Sequence, residues 1–211
     1  MRGGTTKTAS ELNRRERRFL EVHNSLLDVG RDLIAELGEE DVTIKMVADD
    51  ADVAQTTFYG HFESRDQFVQ AVRERWIERV SAALMANVPH DAPPYIRVAA
   101  MTRSLLSVVE TNSPGVRYGL MLLDARGAPE DPIDMLLDEM IEDGIRVGVF
   151  VNLRDRALGK AMLLGALRLG LGFALGRPQT VPEIGDQVVR HVLGVIGTPQ
   201  ALVDDAIEVG R

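Results

Sequence analysis

The sequence predicts an all-α protein of about nine helices. Apolar residues recur every three or four positions along most of the chain, and helix-capping patterns precede several of these segments. No segment alternates apolar and polar residues as a half-buried strand would. With 45% apolar and 27% charged residues in a chain of 211, the composition is typical of a globular protein. The helices can therefore be assigned from their amphipathic segments and caps.

The first predicted helix begins after Asn13, where a capping-box pattern starts, and ends at Gly38, which suits a helix C-terminus. Its apolar residues share one helical face: Phe19, Val22, Leu26, Val29, Leu33 and Leu37. A long fourth helix begins with a second capping box, Ser64 and Gln67, and ends before Pro89. Its apolar face carries Phe68, Val72, Trp76 and Val80.

Between these helices, residues 43–62 read TIKMVADDADVAQTTFYGHF. Thr43 can cap a short second helix through Asp50, and a tight turn at 51–53 separates it from a short third helix. Two such helices joined by a three-residue turn are typical of a helix-turn-helix. The side chains expected to point inward are Val47, Ala48, Val53, Phe58 and Phe62, and those expected to point outward are Gln55, Thr56, Tyr59 and the neighbourhood of His61.

The outward face is polar, uncharged and able to form hydrogen bonds. A glutamine can pair with adenine in the major groove, and a threonine methyl can contact the thymine methyl. Tyrosine and histidine suit phosphate oxygens, which fix register rather than sequence. Periodicity alone also allows ordinary core packing of the helix pair. Residues 1–18 carry a net charge of +4, which fits either a solvated tail or a basic arm that contacts phosphates.

Residues 90–94 interrupt the helical pattern and form the predicted domain boundary. Beyond it, longer and more apolar helices are expected near 94–111, 114–126, 131–151, 155–176 and 181–196, with a final short helix after Pro199. The third capping box, Thr180 with Glu183, opens the helix at 181.

Composition and motifs exclude several classes of function. The absence of cysteine rules out disulfide frameworks, zinc fingers and a cysteine nucleophile. There is no GxSxG, P-loop, HExxH or strand-linked GxGxxG motif, so no enzyme, metal or cofactor is predicted. The net charge of −8 gives no bulk attraction to nucleic acid. The most apolar segment, 157–176, is interrupted by Lys160 and Arg168, and the start lacks a signal peptide, so we expect a soluble cytoplasmic protein.

The string TIKMVADDADVAQTTFYGHFESRDQF at residues 43–68 resembles the helix-turn-helix of the tetracycline-repressor (TetR) family. The matching features are a threonine that opens the second helix, a Val-Ala step, the Thr57-Phe58-Tyr59 run, His61-Phe62, and Ser64 before an Arg-Asp pair. The resemblance implies a flexible basic arm at 1–12, a DNA-binding domain at 13–63, a connecting helix at 64–88 and a ligand-binding and dimerisation domain at 89–211. It implies a homodimeric, ligand-responsive regulator that binds an operator in double-stranded DNA, most simply a repressor that a small hydrophobic effector releases.

Carried over residue by residue, the resemblance implies DNA contacts from eight side chains: Thr43, Lys45, Gln55, Thr56, Thr57, Tyr59, His61 and Arg65. This sequence departs from the family pattern in the turn. Ala54 replaces a serine cap, Asp52 replaces the usual turn glycine, and Thr56 stands where a smaller residue is common. Asp tolerates the left-handed conformation, so we expect the turn to survive. The alternative is a helical module that binds small molecules or proteins and no longer binds DNA.

The same resemblance implies an effector pocket and a dimer interface beyond residue 89. Candidate pocket residues are Trp76, Met101, Leu105, Tyr118, Met121, Leu122, Met140, Phe150 and Phe173. A stripe of small residues on the helix near 155–176 favours close helix–helix approach, and the following helix carries a valine stripe. Candidate interface residues are Ala161, Gly165, Gly172, Gly176, Val188 and Val192. Core packing is the alternative for the pocket candidates, and glycines that the helix merely tolerates are the alternative for the small-residue stripe.

Overall fold

The computed structural model describes residues 14–111, 113–124, 132–151, 153, 155–177 and 181–210. These residues form ten α-helices and no β-strand, which confirms the all-α class. The predicted basic arm at 1–12, the cap at Asn13 and the cap at Thr180 lie outside the described residues.

The first four helices are α1 (Arg14–Leu37), α2 (Ile44–Asp50), α3 (Gln55–Tyr59) and α4 (Arg65–Asn87). They are followed by α5 (Pro94–Thr111), α6 (Ser113–Asp124), α7 (Pro132–Arg146), α8 (Arg156–Leu175), α9 (Val181–Val195) and α10 (Gln200–Val209). Helix α7 ends at Arg146 rather than near 151. The chain leaves the helical conformation at Gly148, where φ is +72°.

The chain forms two compact units that divide within α4, between Arg75 and Trp76. We call residues up to Arg75 unit 1 and residues from Trp76 unit 2. Unit 1 contains α1, α2, α3 and the first half of α4, and unit 2 contains the rest of α4 and the helices that follow.

The core of unit 1 is built where α1 meets α4 and the α2–α3 pair. Gly30 lies under the side chain of Phe68, and a Cβ at this glycine would overlap the phenylalanine ring. The other core side chains are almost fully buried: Leu26, Leu27, Ile34, Val42, Val47, Ala48, Phe58, Phe62 and Val72. The sequence placed the buried face of α1 along Phe19 and Leu37 as well, yet these two residues are 50% and 40% exposed. The buried line is rotated toward Leu27, Gly30 and Ile34 because α4 packs at Gly30.

Predicted caps hold the helix ends of unit 1. Gly38 has φ +90° and donates its amide to the carbonyl of Ile34. Ser64 Oγ accepts the Gln67 amide at 3.1 Å, which is the first bond of the predicted capping box. Gln67 Oε1 accepts the amide of Glu63, one residue before the cap, at 2.5 Å.

Unit 2 is a helical domain with a continuous apolar core. The core side chains come from α4, α5, α7, α8, α9 and α10. Two cationic groups link α7 to its neighbours. Arg97 on α5 is only 3% exposed and binds Glu139 and Asp143, and Lys160 on α8 binds Asp134 and Asp138. A buried arginine paired with two carboxylates fixes the register of α5 against α7.

Helix α8 is apolar on more than its core face. Its inward residues are Gly159, Leu163, Leu167, Leu171 and Ala174, while Leu158, Met162, Leu169 and Phe173 are exposed. By length and composition, α8 could cross a membrane, in contrast to the expectation from the sequence, and only 28% of its apolar window is buried within the chain. One such helix is weak evidence for a membrane span, since apolar helices of soluble proteins pass the same test. The exposed side of α8 is an apolar surface that the chain itself does not cover.

Candidate nucleic-acid interface

The α2–α3 pair is set by three local backbone features. Thr43 caps α2, and its Oγ accepts the Met46 amide at 3.2 Å, as the sequence predicts. Asp52 takes the left-handed conformation with φ +54°, which makes the tight turn. The Val53 amide then bonds to the carbonyl of Ala48 at 2.9 Å. Ala54 begins α3 with no side-chain cap, so the departure from the serine pattern leaves the helix start without that acceptor.

Helix α3 presents a polar face and buries an aromatic one. Gln55 and Thr56 are exposed at its first turn, and Tyr59 is 55% exposed. Phe58 on the opposite side is fully buried, and Thr57 is half-buried. The helix therefore packs its apolar side against the core and exposes its N-terminal polar residues to solvent. A recognition helix needs this arrangement.

Lys45 on α2 is already engaged by a carboxylate. Its Nζ lies 2.5 Å from Asp49 Oδ2, one turn later on the same helix, and both side chains are exposed. The hydrogen bond to Asp49 raises the pKa of Lys45 above its usual value. The lysine can reach a phosphate only in competition with this neighbouring aspartate.

Arg65 begins α4, as the resemblance implies, but part of its guanidinium is bonded to backbone carbonyls of the same unit. Its Nε donates to the carbonyl of Val42 at 3.0 Å, and its Nη2 donates to the carbonyl of Glu39. The side chain is about one-third exposed, and the remaining Nη1 lies 3.9 Å from Asp66. Most of the guanidinium thus ties the start of α4 to the segment before α2. Its role as a clamp on the DNA backbone remains a prediction.

His61 is packed rather than projected. Its ring stacks on Phe19 of α1 with centroids 4.1 Å apart, and the ring of His23 lies 5.5 Å away. His23 in turn stacks on Phe62 at 4.8 Å. Burial lowers the pKa of His61, and burial together with the nearby His61 and Arg75 lowers the pKa of His23. Sequence periodicity did not single out His23 or Arg75, although Phe19 and His23 are four residues apart on one face of α1.

Residues 26–72, which contain α2, α3 and the facing halves of α1 and α4, match the family model described as bacterial regulatory proteins, tetR family. This match assigns the segment of residues 26–72 to the tetR family of bacterial regulatory proteins. The helix-turn-helix described above lies within the matched residues.

Individual known proteins are similar to this chain. The HTH-type transcriptional repressor KstR of Mycobacterium tuberculosis is 28% identical over 119 residues, which are 54% of this chain and 54% of KstR. The match therefore spans about half the length of this curated relative. A tetR-family regulatory protein from Rhodococcus RHA1 superposes with a TM-score of 0.69 at 16% identity, covering 85% of this chain and 99% of that one. The fatty acid degradation regulator FadR of Bacillus halodurans has a TM-score of 0.66 at 16% identity, covering 84% and 97%. These structural likenesses show the fold.

Unit 2 brings some of the candidate pocket residues together. The indole of Trp76 donates to the carbonyl of Gly115 at 2.9 Å and packs edge-on against Tyr118, with centroids 6.0 Å apart. A Cβ at Gly119 would overlap the indole, so α6 approaches α4 closely at this glycine. Other candidates are packed in the core, which leaves their predicted contact with a ligand untested: Met101, Met140 and Phe150 are buried, and Leu105, Met121 and Leu122 are half-buried.

Phe173 is 50% exposed on the surface of α8, and the guanidinium of Arg177 lies 4.5 Å from the centroid of its ring. Its predicted contact with a ligand stays a prediction. The structure also contains an open groove of about 440 Å³ that the sequence did not predict, and none of the nine candidate residues lines it. The groove follows one face of α5, from Ile96 to Ser107, beside the end of α10.

The candidate interface residues also differ in how exposed they are. A Cβ placed at Gly165 or Gly172 would meet no atom within 4 Å, so the surface of α8 is open at these small residues. Ala161 is half-buried and Gly176 is exposed at the end of the helix. Val188 is half-buried and packs within the chain, where a Cβ at Gly170 would come 2.6 Å from it. Val192 is only 1% exposed and packs in the core of unit 2, and its assignment to an interface stays a prediction.

Proposed function

We propose that the protein is a cytoplasmic transcriptional repressor that binds operator DNA as a homodimer and is released by a small hydrophobic effector. The observation that carries this proposal is the exposed start of α3. Gln55 and Thr56 occupy the first helical turn with solvent-facing side chains, while Phe58 anchors the same short helix in the core of unit 1.

This geometry suits reading of a major groove. A helix-turn-helix contacts base edges with the N-terminal residues of its second helix. Gln55 can pair with an adenine through both side-chain atoms, and the methyl of Thr56 can lie against a thymine methyl. Tyr59, at the other end of α3, is placed for a phosphate contact. We assign the reading of base edges to Gln55 and Thr56 in the first turn. We assign the phosphate contact, which positions the protein on the duplex, to Tyr59 in the last turn.

The dimer is assigned to the uncovered apolar side of α8. The four small residues Ala161, Gly165, Gly172 and Gly176 allow a partner helix to approach, and the exposed Leu169 and Phe173 supply apolar area. Pairing α8 and α9 with their copies would make a four-helix interface. Two recognition helices then reach half-sites about 34–36 Å apart, which one monomer cannot do.

The effector acts on unit 2 and reaches the DNA-binding residues through α4, which is continuous between the two units. Trp76 is bonded to Gly115 of α6, so a ligand that displaces α6 also displaces α4. A coupling free energy of about 1–3 kcal/mol would change operator affinity by about 5–150-fold. The pocket candidates are apolar and aromatic side chains, which favours an apolar effector.

The experiment that tests DNA binding is selection of duplexes from a random-sequence library by the full-length protein. We expect recovery of a two-fold related sequence with half-sites about 10 base pairs apart. Gln55→Ala should lower affinity for that sequence by about 1–3 kcal/mol and relax specificity at one position. The matched control is Gln70→Ala, which removes an exposed glutamine that contacts Glu74 on α4.

Failure to enrich any duplex, with a correctly folded protein, would favour the module that no longer binds DNA. Equal losses of duplex affinity for Gln55→Ala and Gln70→Ala would contradict the assignment of base reading to α3. Release of the bound duplex by apolar compounds, followed by the fluorescence of Trp76, the single tryptophan of the chain, tests the effector part separately.

A further inference from the structure

Two histidines from different segments of unit 1 lie side by side in an aromatic stack. The ring of His61, just after α3, packs against Phe19 and His23, and the ring of His23 packs against His61 and Phe62. Phe62 continues into the buried cluster with Phe58 and Phe68, at centroid distances of 5.4 and 5.0 Å. The stack therefore joins α1 directly to the backbone that carries the recognition helix.

Both imidazoles are set for the neutral state. The Nδ1 atoms of His23 and His61 are buried and have no hydrogen-bond partner. Protonation would make each Nδ1 a charged donor in a place without an acceptor, which is unfavourable for a partly desolvated group. The rest of each ring packs against aromatic carbon and is adapted to an uncharged imidazole.

The charges around the pair oppose protonation as well. From α4, Arg75 faces His23, and it is held there by Asn24 and by Asp28, whose Oδ2 lies 3.1 Å from Arg75 Nη2. From the segment after α3, the imidazole of His61 faces that of His23 on α1. The ring face of Phe19 can stabilise a positive charge on a protonated His61. A second protonation, at His23, would be opposed by the charges of His61 and Arg75.

We propose that the His23–His61 pair is a proton-sensitive switch. When both rings are neutral, they hold the segment that follows α3 against α1, and acidification loosens this contact and weakens DNA binding. The effect on packing depends only on unit 1, whereas the effect on DNA rests on the proposed function.

The sign follows from the lowered pKa values. An unfolded histidine titrates near 6.5, and both rings in the folded protein have pKa values below this. The pair therefore contributes stability that is present above pH 6.5 and is lost as the pH falls through the lowered folded values. Below that window, the protonated pair favours opening of the α1 contact.

The first test is the thermal midpoint of the full-length protein between pH about 7.5 and about 5. We expect His23→Phe and His61→Phe, which keep an aromatic ring and remove the proton site, to lose less stability on acidification than the original protein. His90→Gln, an exposed histidine in unit 2, should keep the original pH profile. Should a phenylalanine variant fail to fold, His61→Gln and the imidazole proton resonances of the unaltered protein give the same information.

Parallel pH profiles for the original protein and the double phenylalanine variant would overturn the proposal. So would imidazole resonances in which neither His23 nor His61 titrates below 6.5, since the packed rings would then show no preference for the neutral form.

The second test measures binding to the selected duplex against pH. The switch predicts weaker binding by the original protein at low pH and a smaller change in His61→Phe. A phosphate contact from His61 predicts the opposite sign, because a phosphate favours the protonated ring. Stronger binding on acidification would therefore overturn the DNA part of the proposal. Failure to select any duplex would count against the proposed function and would leave the thermal result to decide the switch.

Discussion

Arg65 and Val42 are joined by a hydrogen bond from the guanidinium Nε to a backbone carbonyl, with donor and acceptor 3.0 Å apart. A second bond reaches the carbonyl of Glu39, so one side chain on α4 closes the segment that leads into α2. The donor is charged and about one-third exposed, so each bond makes a moderate contribution to the free energy of unfolding. The orientation of α2 relative to α4 thus depends on a residue to which the family resemblance gives a DNA contact.

Arg65→Ala should therefore act first on stability. We expect a loss of about 1–3 kcal/mol in the free energy of unfolding, measured by denaturant titration, because two carbonyls lose a charged donor. The slope of log affinity against log salt should stay unchanged. Arg65→Lys keeps the charge but not the forked geometry, so it should recover little of the stability. A salt slope reduced by about one with unchanged stability would show instead that Arg65 contacts a phosphate.

The sequence predicted most of the fold because its signals are local. The caps at Thr43, Ser64 and Gly38 depend on contacts within a few residues, and all three are present. Arg65 is different, since its acceptors lie 23 and 26 residues away in the chain. Only the packing of α4 on α1 decides whether its guanidinium turns inward or toward a ligand.

Apolar stripes show the same limit. Val192 and Phe173 both fit a helical stripe, yet one is in the core and the other is on the surface. Periodicity identifies which side chains share a face but not what covers that face. The rotated buried line of α1 has the same origin, since Gly30 contributes no apolar signal and is buried because Phe68 packs over it.

Ala54→Ser should stabilise unit 1. Ala54 is the N-cap of α3 and provides no side-chain acceptor. A serine hydroxyl there can accept the amide of Thr57, and such a cap contributes about 1 kcal/mol. We expect a higher denaturation midpoint for the serine variant. Ala54→Val, which has no acceptor, is the control and should not raise the midpoint. Equal gains for both would indicate packing rather than capping.

The turn at Asp52 predicts a clear order of stabilities. With φ at +54°, a β-branched residue is strained, whereas glycine is not. Asp52→Val should lower the free energy of unfolding by about 1–2 kcal/mol, and Asp52→Gly should be at least as stable as the original protein. Chemical denaturation of the three proteins decides this order. A valine variant as stable as the glycine variant would mean that the turn has another backbone conformation.

Asp49→Asn should strengthen DNA binding. The substitution removes the carboxylate that holds Lys45 Nζ at 2.5 Å, and the lysine becomes free to reach a phosphate. We expect higher affinity for all duplexes alike and a salt slope steeper by about one. Asp50→Asn removes the same charge from the neighbouring exposed position and should change affinity less. Equal effects of the two substitutions would point to net charge rather than to release of Lys45.

Leu169→Glu tests the assignment of the dimer to α8. Leu169 is 76% exposed and lies among the apolar residues that the chain leaves uncovered. A carboxylate buried against a partner helix without a counter-charge is strongly unfavourable, so sedimentation should show monomers where the original protein forms dimers. Met135→Glu, at an exposed methionine of α7, is the matched control and should remain dimeric. Because two half-sites need two recognition helices, the Leu169 variant should also lose affinity for the selected duplex while its unfolding stays cooperative. A variant that stays dimeric with unchanged binding would place the partner on another face of unit 2.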